Sequence, residues 1–451
     1  MLKEILAKLK SGEGLTAKAS RQVIMSFLSQ GVSIAVSLIY VPLLLNYLTQ
    51  EKYGIWLTLT SIIGWFSFFD IGLGNGMRNR LAASNATGDH TMGRRYVSTT
   101  YALLICIFAS ILLIFHIINP FVNWNSILNS QSISFHELYL LTSVVFTFFI
   151  LRFIVQLIGV IYIADLKPSI NNFINALSSI FSLICVIILM KVSSTGNLVL
   201  LGSIITIMPV LLFVLLSVYA FSGKYSHLRP SFKAIDFSLN KDLMSLGAKF
   251  FLLQVTAVIL YSTSSFFISQ FYGPGEVVVY NLVFKYFQLP MMVYTIILSP
   301  LWSSVTNAYV REDYVWLKTT MKRLNYLSLA FIGCIVVMIF ASNYVFHLWI
   351  GDKVKVPMQL TIIMAVYAVM NIFIAPYSNF INGTGKLKLT MWFSFLGIGL
   401  YFLSIFLFGK RFSDSSGVVI AIIIPYAFFT FIQPFQTYRI LNRKASGVFL
   451  Q

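Results

Sequence analysis

Residues 197–221 read NLVLLGSIITIMPVLLFVLLSVYAF, without one charged side chain. At 1.5 Å per helical residue the run is about 37 Å long, more than the roughly 30 Å of a bilayer's hydrocarbon core. Its apolar character is continuous rather than alternating, which excludes a barrel strand and predicts a spanning helix. Comparable runs lie at about 21–48, 53–82, 96–119, 138–165, 170–191, 247–272, 277–306, 323–350, 358–381, 389–409 and 417–441. The expected fold is all-α and integral to the membrane, with about twelve transmembrane helices. Pro42, Pro209, Pro290, Pro300, Pro376 and Pro425 fall inside these runs and are expected to kink or locally break them.

Composition agrees. The 451 residues are 58% hydrophobic and only 10% charged, and mean hydropathy is +0.84. A soluble domain carries roughly 25% charged residues, so too little polar surface is left for a globule in water. The net charge of +18 would suit a nucleic-acid binder. The basic residues, however, sit in short clusters between apolar runs, and no nucleic-acid partner is expected. Cys106, Cys185 and Cys334 each lie within an apolar run, with neither a disulfide framework nor zinc spacing.

The basic clusters set the topology. With a cytoplasmic N-terminus, 24 Lys and Arg fall on inside segments and 6 on outside segments. That excess places both termini in the cytoplasm. Met1–Lys10 reads as a short amphipathic helix on the inner membrane surface, with Leu2, Ile5, Leu6 and Leu9 on one face. The polar stretch 222–246 is the natural seam. The expected organisation is a cytoplasmic N-terminal segment 1–20, an N-lobe 21–221 with helices 1–6, a cytoplasmic interlobe loop 222–246, a C-lobe 247–441 with helices 7–12, and a tail 442–451. Similar features recur in both halves: Gln50-Glu51-Lys52-Tyr53 against Pro274-Gly275-Glu276-Val277, and Ala164-Asp165-Leu166-Lys167-Pro168 against Gly383-Thr384-Gly385-Lys386-Leu387. Six spans per half makes a parallel repeat, two pseudo-symmetric lobes around a central cleft.

Several chemistries are excluded. Gly383-Thr384-Gly385-Lys386 fails the spacing of a Walker loop, so ATP does not power the chain directly. Asp70-Ile71-Gly72-Leu73-Gly74-Asn75-Gly76 is glycine-rich but lies in an apolar run and not after a strand, so it is no dinucleotide loop. No H-E-x-x-H occurs, and the outer stretch near 120–137 carries no paired carboxylates for glycosyl transfer. No cofactor, metal or enzymatic activity is expected.

The informative residues are charges inside spans. Arg152 lies near the centre of the fourth, and Lys285 about 12 Å into the eighth. A charge at that depth costs about 2.5–3.5 kcal/mol even on the gentle insertion scale. Each must face a wet cavity or an ion-pair partner. Asp70, Asn75 and Arg78 form a polar stripe within an arc of about 140° at the end of the second run.

The stretch Phe69-Asp70-Ile71-Gly72-Leu73-Gly74-Asn75-Gly76-Met77-Arg78-Asn79, with Tyr53-Gly54-Ile55-Trp56 opening the same run, resembles the bacterial polysaccharide transporter family. This family holds the Wzx-like O-antigen and capsular oligosaccharide-lipid flippases. It lies in the superfamily of the MATE multidrug exporters and lipid II flippases. The resemblance in size, 6 + 6 arrangement and basic inside loops extends over nearly the whole chain. It implies a flippase of the bacterial plasma (inner) membrane. Such a protein moves undecaprenyl-diphosphate-linked oligosaccharide outward by alternating access, driven by proton or sodium exchange. The implied partners are the lipid-linked oligosaccharide and membrane lipids, with a glycan polymerase and chain-length machinery as candidates. Arg152, Lys285, Arg78 and Asn75 are then the candidate substrate-binding residues, and Asp70 is an ion-coupling carboxylate or the partner of Arg78. Two alternatives stand beside this. A MATE-like small-molecule exporter shares the fold, but Arg152 and Lys285 favour anionic cargo. A membrane glycan polymerase would need a large polar outer loop, which the sequence lacks.

The topology has a direct test. In a background lacking the native cysteines, Ser231→Cys should resist an impermeant thiol reagent in intact spheroplasts and react after permeabilisation. Labelling from outside would reverse the orientation.

Overall fold

A computed structural model describes residues 15–66, 73–165, 167–193, 196–240, 243, 263–298, 301–386 and 388–447. Helices carry the architecture: α1 (Leu15–Tyr47), α2 (Gln50–Gly64), α3 (Leu73–Thr87), α4 (His90–Ile118), α5 (Phe135–Val155), α6 (Leu157–Ala164), α7 (Pro168–Val192) and α8 (Leu198–Ser222), then α9 (Pro274–Leu298), α10 (Leu301–Val310), α11 (Tyr314–Ile350), α12 (Met358–Thr384), α13 (Lys388–Phe408) and α14 (Ser416–Leu441). Among the described residues, ten helical stretches are long and apolar enough to cross a membrane, α5 and α6 together making one. Much of the expected run 247–272 and the N-terminal amphipathic segment lie outside the described residues.

Two expected spans are described as two helical stretches each, with residues between them outside the described ones. The run 53–82 consists of α2 and α3, with α2 passing into a single 3-10 turn at Trp65–Phe66. Residues 67–72, which include Asp70 and Gly72, lie outside the described residues. The run 277–306 likewise consists of α9 and α10, with Pro300 between them in sequence. Other prolines do not break their helices: α1, α8, α9, α12 and α14 run through Pro42, Pro209, Pro290, Pro376 and Pro425.

The chain forms two compact units, one of Met1–Lys52 and Ile63–Val255, the other of Tyr53–Ile62 and Thr256–Gln451. In the first, α7 packs on α1 and α8, α5 packs on α8 and α4, and α3 packs on α4 and α6. Phe108, Phe146 and Phe213 are fully buried there. Asn119 is buried too, and both ends of its side-chain amide are engaged. It donates to Ser143 Oγ at 2.7 Å and accepts from Trp124 Nε1 at 2.6 Å and Thr142 Oγ1 at 3.3 Å. In the second unit α12 is central, touching α9, α10, α11 and α14, while α13 packs on α14. Side chains such as Phe340 and Phe406 are more than four-fifths exposed. In water such surfaces would aggregate; in a bilayer they meet lipid.

The connection 223–240 lies along the start of α4. Arg95 pairs with Asp236 at 2.5 Å, Arg94 Nε donates to the Arg229 carbonyl at 3.0 Å, and the Asp236 and Ser231 amides donate to Thr99 and Ser98 at 2.9 and 3.1 Å. Leu228 is buried beside Gly93. This strap is therefore a structured part of the first unit.

In the second unit, Gly54 of α2 meets the first residue of α9. A Cβ on Gly54 would stand 1.7 Å from the Pro274 carbonyl oxygen. Backbone cannot yield as a side chain does, and overpacking of this sort costs about 1–3 kcal/mol. Gly54→Ala should therefore lower the membrane level of folded protein about several-fold, read by quantitative blotting. An unchanged level would refute the close contact.

Candidate functional site

Arg152 occupies the last turn of α5, where the unpaired carbonyls of a helix end favour a cation. The helix breaks immediately afterwards at Gln156, whose N–H donates to the Arg152 carbonyl at 2.9 Å. Arg152 lies twelve residues, about 18 Å, before Ala164 at the end of this span. Its Nη2 donates to Asn175 Oδ1 at 3.0 Å. Asn175 is itself held in place. Its Nδ2 donates to the Asn171 carbonyl at 2.9 Å, and its carbonyl accepts Ser179 Oγ at 3.0 Å. Asn171, Asn175 and Ser179 are spaced by four and share one face of α7. Gly159 of α6 permits the approach to that face, since a Cβ there would sit 2.1 Å from Asn171 Oδ1.

The partner of Arg152 is thus a neutral amide. Among the described residues no carboxylate lies within ion-pair distance of it. A guanidinium carries five N–H groups, and the bond to Asn175 uses one. The ion-pair alternative for Arg152 is therefore not what the described residues display.

Lys285, in the second unit, is half-buried eleven residues into α9, about 17 Å from Pro274. That is deeper than the sequence suggests, because α9 begins earlier than expected. It follows Phe284 in a file of rings: Tyr280–Phe284 centroids are 6.0 Å apart, Phe284–Tyr367 6.4 Å and Tyr367–Tyr426 5.4 Å. Polar groups are present in the same unit. Asn371 Nδ2 donates to the Tyr367 carbonyl at 3.0 Å, and Ser378 Oγ to Gln433 Oε1 at 2.5 Å. Arg78 is exposed on α3. Asn75 lies in the first turn of α3 with its side chain outside the described residues, as is the whole of Asp70.

A second polar centre lies where α6 and α8 end and α7 begins. Asp165 Oδ2 accepts from Lys224 Nζ at 2.5 Å, Tyr225 Oη at 2.6 Å and Lys167 Nζ at 2.9 Å. Partial burial opposes its ionisation, but the three hydrogen bonds together outweigh burial and hold its pKa at about 2. The same bond raises the pKa of Lys224. This centre ties two connections together, α6–α7 and the strap after α8, and sequence reading gives no hint of it beyond the Asp165-Leu166-Lys167 triplet. The α7 face was available in the spacing of Asn171, Asn175 and Ser179, yet only charges attract notice in an apolar run.

Residues 19–305 match the model of a family described as polysaccharide biosynthesis protein. The chain belongs to that family. A Yersinia pseudotuberculosis protein named for O-antigen export is 24% identical over 378 residues, covering 81% of this chain and 83% of its own. A Salmonella typhi protein named as an O-antigen transporter is 23% identical over 380 residues with the same coverage. An inward-facing MATE multidrug transporter of the MOP superfamily superposes with TM-score 0.74 at 13% identity, over 93% of this chain and 100% of its own. The lipid II flippase MurJ, inward closed, gives 0.67 at 15% identity, over 93% and 90%. The last two establish the fold of this family member as that of MOP-superfamily transporters.

The Asp165 centre yields a signed pH prediction. An unfolded aspartate has a pKa near 4. With the folded value depressed, the centre's contribution is complete above about pH 4 and is lost as pH falls towards 2. Asp165→Asn should lower the melting midpoint of the purified protein by several degrees at neutral pH, and the gap to wild type should close in acid. Equal midpoints at neutral pH would refute a stabilising role.

Proposed function

We propose that this chain is a flippase that moves undecaprenyl-diphosphate-linked oligosaccharide, an O-antigen or capsule repeat unit, from the inner to the outer face of the bacterial plasma membrane by alternating access. The relatives named for O-antigen transport supply the cargo class, and MurJ shows that the fold accommodates lipid-linked glycan. One structural observation carries the reading to this chain: a guanidinium at membrane depth held by the neutral Asn175. Its charge remains uncompensated among the described residues, which suits an anionic cargo.

The physics of the cargo requires such a site. Sugar hydroxyls cost several kcal/mol each when stripped of water without a partner, and a diphosphate costs far more. The polyprenyl tail stays in lipid. Arg152 meets diphosphate or acidic sugar through paired N–H donors. Lys285 adds a second cation, Arg78 and Asn75 serve as cytoplasmic-side anchors, and Asp70 is the ion-coupling carboxylate or the partner of Arg78. Both termini lie in the cytoplasm, no bond is made or broken in the cargo, and the polymerase and chain-length machinery act on the product. A MATE-like exporter of cationic drugs fits less well, because two intramembrane cations repel such cargo.

The test is surface-glycan output at matched membrane levels. Arg152→Ala should reduce it about tenfold or more, the scale of losing a charge-assisted hydrogen bond. Arg152→Lys should not fully restore it, Lys285→Ala should lower it, and Asn175→Asp should impair it by neutralising the guanidinium. Normal output from both alanine variants would overturn the assignment.

A further inference from the structure

The outer end of the first unit contains a cavity of about 470 Å³ whose walls come from three separate connections. Lys52 comes from the first turn of α2, Ser134, His136 and Glu137 from the start of α5, and Asn197 from the start of α8, with Leu140 and Leu200 as apolar wall. The residues are far apart in sequence, yet the charge-derived topology puts all three connections outside, and they converge on one cavity. Its volume lies within the roughly 300–1,000 Å³ typical of small-molecule sites.

The hydrogen-bonding state of the lining defines what fits. Asn197 Oδ1 accepts the Leu200 amide at 2.9 Å, so its Nδ2 remains as a donor. Ser134 Oγ accepts the Glu137 amide at 3.2 Å, which leaves its hydroxyl hydrogen to donate. Lys52 Nζ reaches the Gly196 carbonyl at 3.4 Å with one of its three N–H groups. The Glu137 carboxylate supplies acceptors. The lining thus offers a carboxylate acceptor among amide, hydroxyl and ammonium donors, beside two leucines. Neighbouring hydroxyls, each both donor and acceptor, satisfy that polar set, and an apolar C–H face suits the leucines. An anion alone would leave Glu137 opposed to it, and a cation alone would leave Lys52 opposed.

We propose that this cavity is an outer-mouth carbohydrate subsite that takes a mono- or disaccharide portion of the glycan after it crosses. The assignment rests on the transport reading above and deepens it. Sugar held at the outer mouth slows return of the cargo, and the shape of the cavity adds selection by glycan type to selection by charge.

The experiment uses full-length protein in nanodiscs, with both faces accessible. Saturation-transfer NMR is recorded with a panel of methyl glycosides of glucose, galactose, rhamnose, N-acetylglucosamine and galacturonic acid. At least one glycoside should give signal on wild type. The signal should fall about tenfold in Glu137→Gln and in Asn197→Ala, as expected for losing one hydrogen bond to a buried or charged partner. Glu51→Gln, outside the lining, should leave it unchanged. Crossing of lipid-linked glycan is measured separately in proteoliposomes. Absence of glycoside signal on wild type, or equal signal in Glu137→Gln, overturns the subsite even while the lipid-linked glycan still crosses. Failure of wild type to move lipid-linked glycan overturns the transport reading, whatever the glycosides do.

Discussion

Hydrocarbon offers no hydrogen bonds, so every polar group carried into the membrane must be met by protein, by cargo or by a wet cavity. The rest of this structure follows from that constraint. Serine and threonine hydroxyls along the spans return to backbone carbonyls one turn back, as Ser110 does to Cys106 and Thr206 to Gly202. Asn119 occupies both ends of its amide. Asp165 stands at the end of a span, where two ammonium groups and a phenol reach it. Arg152 departs from the pattern because its single partner is neutral and its charge is unmatched among the described residues. In a membrane protein such an exception marks function more clearly than any motif.

The spans were legible because hydropathy adds up along the chain. A run such as 197–221 needs no partner to declare itself, and α8 occupies Leu198–Ser222. Boundaries were less legible where backbone rather than composition decides. The run 53–82 is apolar enough to read as one helix, yet its described part already leaves the α-helix for a 3-10 turn at Trp65–Phe66. The site was legible in its charges and illegible in its supports. Arg152 is conspicuous because a charge is rare at that depth. Asn175 is not, because one amide barely lowers the hydropathy of α7. Lys224 reaches Asp165 across 59 positions, a pairing that no local spacing encodes. Glycines were misleading in a similar way. Gly54 and Gly159 look like ordinary apolar positions until Pro274 and Asn171 are found against them.

The two described cations also differ in kind. Arg152 is held by a neighbouring amide at the end of a helix, so its direction is fixed before any cargo arrives. Lys285 sits in the middle of α9 beside a file of aromatic rings, and its compact ammonium on a flexible stem adapts its direction more readily. On the transport reading proposed above, a fixed fork and a point charge suit different parts of an anionic glycolipid.

An unmatched guanidinium 18 Å inside a span has an electrical consequence. A living plasma membrane holds a potential, negative inside, and a full elementary charge moved across it exchanges about 2.3 kcal/mol per 100 mV. The field draws such a positive charge inward. On the flippase reading proposed above, a diphosphate bound by both Arg152 and Lys285 cancels their two charges, and the field then acts on the empty site far more than on the loaded one. On that reading, the return of the empty carrier depends on membrane potential whether or not an ion accompanies the cargo.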